Sequence, residues 1–254
     1  MSALTGRHAL VTGASRGIGA AIVRALSDEG AAVTLLVRDA SRADTVTSGL
    51  RGEHFTVVAD VTDRPGVQDA IARAVDQLGP VDILVNNAGY TESAPFQRTT
   101  PDHFERMFAV HVLGAVHATQ AVLPGMIERH RGHVVNVASI AGLRGESYVS
   151  AYVAAKHALV GLTRALAREV GKRGIAVNAV CPGYADTSLV HESVARISRI
   201  TGKSEAESLA AMLAGAGQRR LVTPAEVAAA VVRLCTAPDD APDGQAVVLD
   251  GASP

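Results

Sequence analysis

Hydrophobic periodicity constrains this chain more than any other feature. Short runs rich in β-branched residues alternate, with hardly a break, with longer stretches of helical period. The runs are His8–Thr12, Ala32–Val37, His54–Val58, Asp82–Val85, His133–Val137, Ile175–Val180 and Ala246–Leu249. They are near-continuous apolar segments, as parallel strands covered on both faces must be. Helices fit between them at Gly17–Glu29, Arg42–Leu50, Arg64–Leu78, Pro101–Arg129, Tyr152–Lys172 and Pro224–Cys235. Pro101 and Pro224 each follow a Thr, giving an N-cap with Pro at the first helical position. The alternation runs through all 254 residues without a repeat, a low-complexity tract or a linker. It predicts one α/β domain spanning 1–254, a doubly wound parallel sheet of about seven strands with helices on both faces. Asp186–Leu221 breaks the rhythm. It is far longer than a connecting loop needs to be, and SVARISRI and EAESLAAMLA within it have helical patterning. Next to a ligand edge it reads as a lid over a pocket; the alternative is a surface helical pair.

Composition supports a core and removes several classes of function. Apolar residues make up 48%, but aromatics only 3% with no Trp, so the core rests on Ala, Val, Leu and Ile. A formal charge of -1 with no long run of either sign leaves no electrostatic footprint for nucleic acid or an anionic membrane. The start, MSALTGRHALVTG, enters a strand without the regions of a secretion signal. No uninterrupted apolar run approaches the ~20 residues of a spanning helix. Cys181 and Cys235 lie in different elements, and neither they nor the histidines show metal-ligand spacing. A cytoplasmic protein with reduced thiols and no metal is expected.

The chemistry begins after the first strand, where Thr12-Gly13-Ala14-Ser15-Arg16-Gly17-Ile18-Gly19 opens a helix. Gly13 allows the tight turn, Gly17 lets backbone approach a phosphate, and Gly19 permits close helix–strand packing. The spacing departs from G-x-G-x-x-G, but its βαβ setting points to a dinucleotide. The second strand ends Leu36-Val37-Arg38-Asp39. Val37 stands where the acid of an NAD ribose site belongs. Arg16 and Arg38 converging on that ribose suit a 2′-phosphate, and so NADP(H). Asp39 is the competing signal, since a strand ending one residue later would bring its carboxylate to the ribose. Asp60-Val61 and Asn87-Ala88-Gly89 follow the next two strands. Asp60 is placed to accept from an adenine amine, and Ala88-Gly89 is slim enough for a flat ring to pass. Either alone is an ordinary Asx turn at a strand end.

Tyr152 and Lys156 are spaced i,i+4, which puts phenol and ammonium on one helical face. A free phenol ionises near pH ~10, and a nearby cation favours the phenolate, so the pair makes an acid/base device. Only three of the 24 basic residues are lysines, which makes a chance Lys at this spacing improbable. The four tyrosines, Tyr90, Tyr148, Tyr152 and Tyr184, sit in or just after loops that follow strands. Tyr148, Tyr152 and Tyr184 are therefore candidates to contact substrate.

TGASRGIG, NNAG, a Ser followed by Tyr-x-x-x-Lys, and Pro182-Gly183 occur in this order over essentially the whole chain. The set resembles the short-chain dehydrogenase/reductase family. The resemblance implies a Rossmann-fold oxidoreductase that interconverts a ketone and a secondary alcohol, with Tyr152 as proton donor or acceptor. It further implies that Lys156 lowers the phenol's pKa and holds the nicotinamide ribose, and that Ser139 bonds the substrate oxygen. Gly13, Ser15, Arg16, Ile18, Asp60, Asn87 and Thr187 would contact the cofactor, with Pro182-Gly183 lining the nicotinamide. His111 is the departure: it stands where the family commonly has an Asn supporting a water relay to the lysine. It either serves that relay or is a buried packing histidine. The whole-chain pattern resembles 3-oxoacyl-thioester reductases, whose substrates ride on an acyl-carrier protein or coenzyme A. Hydroxysteroid, sugar-alcohol and xenobiotic carbonyl reductases share the motifs. A non-catalytic NADP sensor or scaffold is the alternative of another class, and the presence of Ser, Tyr and Lys together opposes it. A homotetramer is also expected. Val110, Val112, Leu113, Ala115 and Val116 on one helix, and Ala154, Ala155, Ala158, Leu159 and Leu162 on the next, exceed what one sheet face can cover.

Overall fold

β1 (His8–Thr12) is buried along its whole length, and the sheet is built outward from it. The structure, a computed structural model, describes residues 2–237 and 243–252. β2 (Ala32–Val37) and β3 (His54–Val58) lie to one side of β1. β4 (Ile83–Asn86), β5 (Gly132–Val137), β6 (Ile175–Pro182) and β7 (Ala246–Leu249) lie to the other. The order is β3-β2-β1-β4-β5-β6-β7 and every pairing is parallel. The direction of winding reverses between β1 and β4. A crevice must open there at the carboxyl ends of the strands, where Thr12 pairs with Leu36 and Asn86 with Asn136.

Alternate strand residues feed two layers. Val11, Leu35 and Val85 pack with α1 (Gly17–Asp28) and α9 (Pro224–Cys235). Leu10, Leu36 and Leu84 pack on the other face with α3 (Arg64–Leu78), α5 (Gly114–Glu128) and α6 (Ser150–Val170). These Leu and Val side chains are essentially inaccessible, each contributing roughly 1.5–3 kcal/mol by burial. A polar chain also crosses the interior. Asn86 Nδ2 donates to Asn136 Oδ1 at 2.9 Å, Asn136 Nδ2 to Thr163 Oγ1 at 2.9 Å, and Thr163 Oγ1 to the Leu159 carbonyl at 2.8 Å. It locks β4 and β5 to α6, the helix that carries Tyr152 and Lys156.

Several elements differ from the sequence expectation for identifiable reasons. Arg42–Leu50 reduces to a 3₁₀ turn, Ala40–Arg42, and the single-turn α2 (Asp44–Thr47). Asp82 immediately precedes β4, its carboxylate accepting from the His8 N–H at 3.1 Å and from Arg131 Nη2 at 2.7 Å. The long helix is wound unevenly: α4 (Pro101–Phe108) passes through a π segment, Ala109–Leu113, into α5. A Cβ on Gly114 would stand 2.8 Å from Val61 Cγ2, so only glycine allows this approach. By length and composition Pro101–Glu128 is apolar enough to cross a membrane; in the fold it packs on the sheet, α3 and α6.

The expected second apolar face is partly closed within the chain. Met107, Ala151 and Ala155 join α4 to α6, with Val112 and Tyr152 packed against them, and Ala115 and Leu159 are buried. Leu113 and Phe108 remain exposed. Residues 186–221 do form a helical pair, α7 (Ser188–Thr201) and α8 (Glu205–Gly215). The pair returns to the sheet edge through a bridge between Ala185 and Val222.

Candidate active site

A cavity of about 1080 Å³ runs along the carboxyl ends of the strands, and every site residue read from the sequence lines it. At one end the glycine loop behaves as expected. Gly13 and Gly17 have φ of +66° and +54°, which only glycine adopts without strain. A Cβ on Gly19 would collide with the Gly13 carbonyl and lie 2.6 Å from Asn87 Nδ2. Asn87 holds the loop itself, its Nδ2 donating to the Thr12 and Gly13 carbonyls at 2.9 and 3.1 Å. The N–H groups of Asn87 and Ala88 both donate to Thr12 Oγ1 at 3.0 Å. The Asn87 side chain is therefore a clamp on the cofactor loop.

The two arginines and Asp39 separate clearly. Asp39 Oδ1 accepts from Ser41 N and Oγ at 3.1 and 2.7 Å, and Oδ2 lies 3.4 Å from Arg42 Nε. Those hydrogen bonds, Ser41 foremost, hold its carboxyl below the usual range and commit it to capping its own turn. Arg38 is exposed on the same rim and makes no hydrogen bond or ion pair among the described residues. Arg16 reaches across to Ser188 Oγ at 3.5 Å, linking the glycine loop to the first residue of α7. Asp60 Oδ1 accepts from Thr62 N and Oγ1 at 2.9 and 2.7 Å.

The floor holds Ser139, Tyr152 and Lys156. Ser139 is buried at the end of β5; its Oγ accepts from Ala141 N at 3.1 Å and donates to the Pro182 carbonyl at 3.4 Å. Tyr152 is half-buried and faces the cavity. Burial pushes its phenol up to about 12, against the Ser139 hydroxyl, which favours the phenolate. Lys156 is buried, donates from Nζ to the Val137 carbonyl at 2.8 Å and lies 5.6 Å from the Tyr152 ring centroid. Burial pushes its ammonium down to about 7. Burial outweighs any lowering of the phenol by Lys156. The ammonium is tied to backbone, and desolvation dominates the shift of each group.

His111 lies in the π segment, buried, its ring edge-on to Tyr152 at 5.3 Å and 82°. Nε2 bonds the Tyr90 carbonyl at 2.7 Å. A carbonyl only accepts, so Nε2 carries the proton and Nδ1 is the acceptor; among the described residues Nδ1 has no partner. Burial, then Lys156, pushes the imidazole down to about 3, so it stays neutral. A hollow of about 10 Å³ is bounded by Asn86, His111 and Lys156, close to the least that holds one water.

At the other end Tyr184 is half-buried, its phenol donating to Glu146 Oε1 at 3.4 Å. Burial and then Glu146 push it up to about 12. Tyr148, with φ of +66°, sits at the rim and is 67% exposed. Glu146 and Gln218 went unread in the sequence. Glu146 lies between Ser139 and Tyr152, but no spacing rule says which way a loop carboxylate faces, and Gln218 comes from the far end of the lid.

A family model described as short chain dehydrogenase matches residues 7–198. Galactitol 2-dehydrogenase of Agrobacterium fabrum is 36% identical over 252 residues, covering 98% of each chain. D-beta-hydroxybutyrate dehydrogenase of Rhizobium meliloti is 35% identical, covering 96% of this chain and 97% of its own. Among solved structures, levodione reductase matches with a TM-score of 0.90 at 31% identity, covering 98% of this chain and 97% of its own.

Proposed function

The chain belongs to the short-chain dehydrogenase family, and from that premise we propose an NADP(H)-dependent oxidoreductase that interconverts a ketone and a secondary alcohol. One observation carries the reading. Ser139, Tyr152 and Lys156 share the floor of a cavity whose far end holds the glycine loop and an unengaged Arg38. The residues fit a dinucleotide, because the loop leaves no room for a side chain at Gly13 or Gly19. Arg38 is free for a 2′-phosphate while Asp39 is bound to Ser41.

When bound, the nicotinamide supplies the hydride to the carbonyl carbon. Ser139 and Tyr152 polarise the carbonyl oxygen, and Tyr152 gives it a proton. A phenol held near 12 is proton-loaded at neutral pH, the state that reduction requires. Lys156 stabilises the phenolate left behind. His111 Nδ1 accepts from a water in the hollow beside Lys156, so the imidazole positions the relay without changing charge.

The named relatives divide between galactitol and D-β-hydroxybutyrate, and the motif pattern adds 3-oxoacyl thioesters on acyl-carrier protein or coenzyme A. All are carbonyl/secondary-alcohol pairs. Initial rates on ketones and acyl thioesters with each cofactor test the reading. NADPH should exceed NADH in kcat/KM by about ten- to a hundredfold, as one or two charge-assisted contacts imply. Equal rates or an NADH preference would mean that Asp39 governs the ribose. We also infer a two-fold assembly, a tetramer, through α4–α6, where Phe108 and Leu113 are exposed, and through β7, where Val248 is. Light scattering giving a mass near 26.2 kDa would overturn it.

A further inference from the structure

The substrate end of the cavity holds a carboxylate whose only hydrogen bond is a long one. Glu146 makes no ion pair among the described residues, and its one contact, from the Tyr184 phenol, is 3.4 Å. That is well beyond the 2.7–2.8 Å typical of O–H···O. Tyr184 is firmly placed. Tyr184 follows Pro182-Gly183 directly, and its backbone is held on both sides by Gln218, which is buried. The Tyr184 N–H donates to Gln218 Oε1 at 2.7 Å, and Gln218 Nε2 to the Tyr184 and Arg220 carbonyls at 3.4 and 3.2 Å. The phenol and Glu146 line the same cavity as Tyr152.

A phenol that donates and a carboxylate that accepts, slightly too far apart for each other, match one functional group. A hydroxyl accepts from Tyr184 Oη and donates to Glu146, making two normal bonds where one long one stands. An anionic group at this place meets the Glu146 charge instead. The nearby guanidiniums point elsewhere, Arg144 to the Ala216 carbonyl and Arg196, at the lid, to Ser93 Oγ at 2.7 Å, although the Arg144 charge still reaches Tyr184.

We propose that Glu146 and Tyr184 form a hydroxyl-recognising subsite, so that the preferred substrate is a neutral hydroxyketone. This rests on the carbonyl-reductase reading and narrows it. The test compares three substrates of equal chain length with NADPH: the hydroxyketone, the parent ketone and the keto acid. In the wild type the hydroxyketone should lead the parent ketone by about tenfold in kcat/KM, the scale of a hydrogen bond to a charged group, and the keto acid should trail. Glu146→Gln should bring the hydroxyketone down to the level of the parent ketone and raise the keto acid. The parent ketone should change less than about twofold, which also reports that the variant is folded. Tyr184→Phe should weaken the hydroxyketone selectively in the same way. A wild-type preference for the keto acid, or a Glu146→Gln loss equal across all three, would overturn the subsite alone. No turnover of any ketone would overturn the reaction, and the subsite with it.

Discussion

Lys156→Met should stabilise the free protein while destroying its activity, and the sign of the stability change should invert with pH. The ammonium sits at about 7 instead of its ordinary 10.5 because it is buried. Each pH unit of that depression corresponds to about 1.4 kcal/mol, so below pH 7 the folded protein bears a cost of about 5 kcal/mol. Between pH 7 and 10.5 the unfolded chain still binds the proton and the native state does not. Stability therefore rises with pH across that window as the cost fades. Methionine removes the charge at similar volume but leaves the Val137 carbonyl, now bonded at 2.8 Å, without its donor, a loss of about 1–3 kcal/mol. The variant should be more stable than wild type by about 2–4 kcal/mol at pH 6, should match it near pH 9, and should fall below it beyond. Urea unfolding of the cofactor-free proteins across this range measures the difference. A variant less stable by the same amount at pH 6 and pH 9 would mean that the ammonium has a counter-charge this geometry lacks.

Three further outcomes follow from specific contacts. Gly19→Ala puts a methyl group against the Gly13 carbonyl and Asn87 Nδ2, so it should cost about 1–3 kcal/mol and weaken NADPH binding at least tenfold; a titration showing wild-type affinity would contradict the clamp. His111→Asn should leave the shape of the pH–rate profile between about pH 5 and 8 unchanged, since an imidazole held near 3 does not titrate there. Loss of an inflection near pH 6 would show that His111 carries a proton. Amides of α7 and α8 should exchange faster than those of α6 in the free enzyme and gain protection with NADPH. Full protection before cofactor is added would make the segment a rigid insertion.

The fold was legible because its signal is repetitive. Seven apolar runs at parallel-strand length and the Thr-Pro helix starts sit within a residue or two of the observed elements, since both faces of the sheet are buried and the pattern has no freedom to slip. The glycine loop was legible for the same reason: Gly13 and Gly19 answer to steric limits that few other residues satisfy. What the sequence hid depends on tertiary geometry. The π segment at Ala109–Leu113 has the hydrophobic period of an α-helix. Asp39 and Arg38 read alike in the sequence, which does not show that Ser41 bonds the Asp39 carboxylate. The i,i+4 spacing placed Lys156 beside Tyr152 correctly, but could not show that burial would outweigh their attraction. Glu146 had no signal, because its meaning comes from Tyr184, 38 residues away.

Tyr152→Phe tests the central claim most directly. The phenol belongs to the proton step, so the variant should bind NADPH within about threefold of wild type while its ketone reduction falls by at least a hundredfold. Fluorescence titration and single-turnover rates on the same preparation give both numbers. A variant that binds NADPH normally and keeps more than about a tenth of the wild-type rate would show that the proton comes from elsewhere.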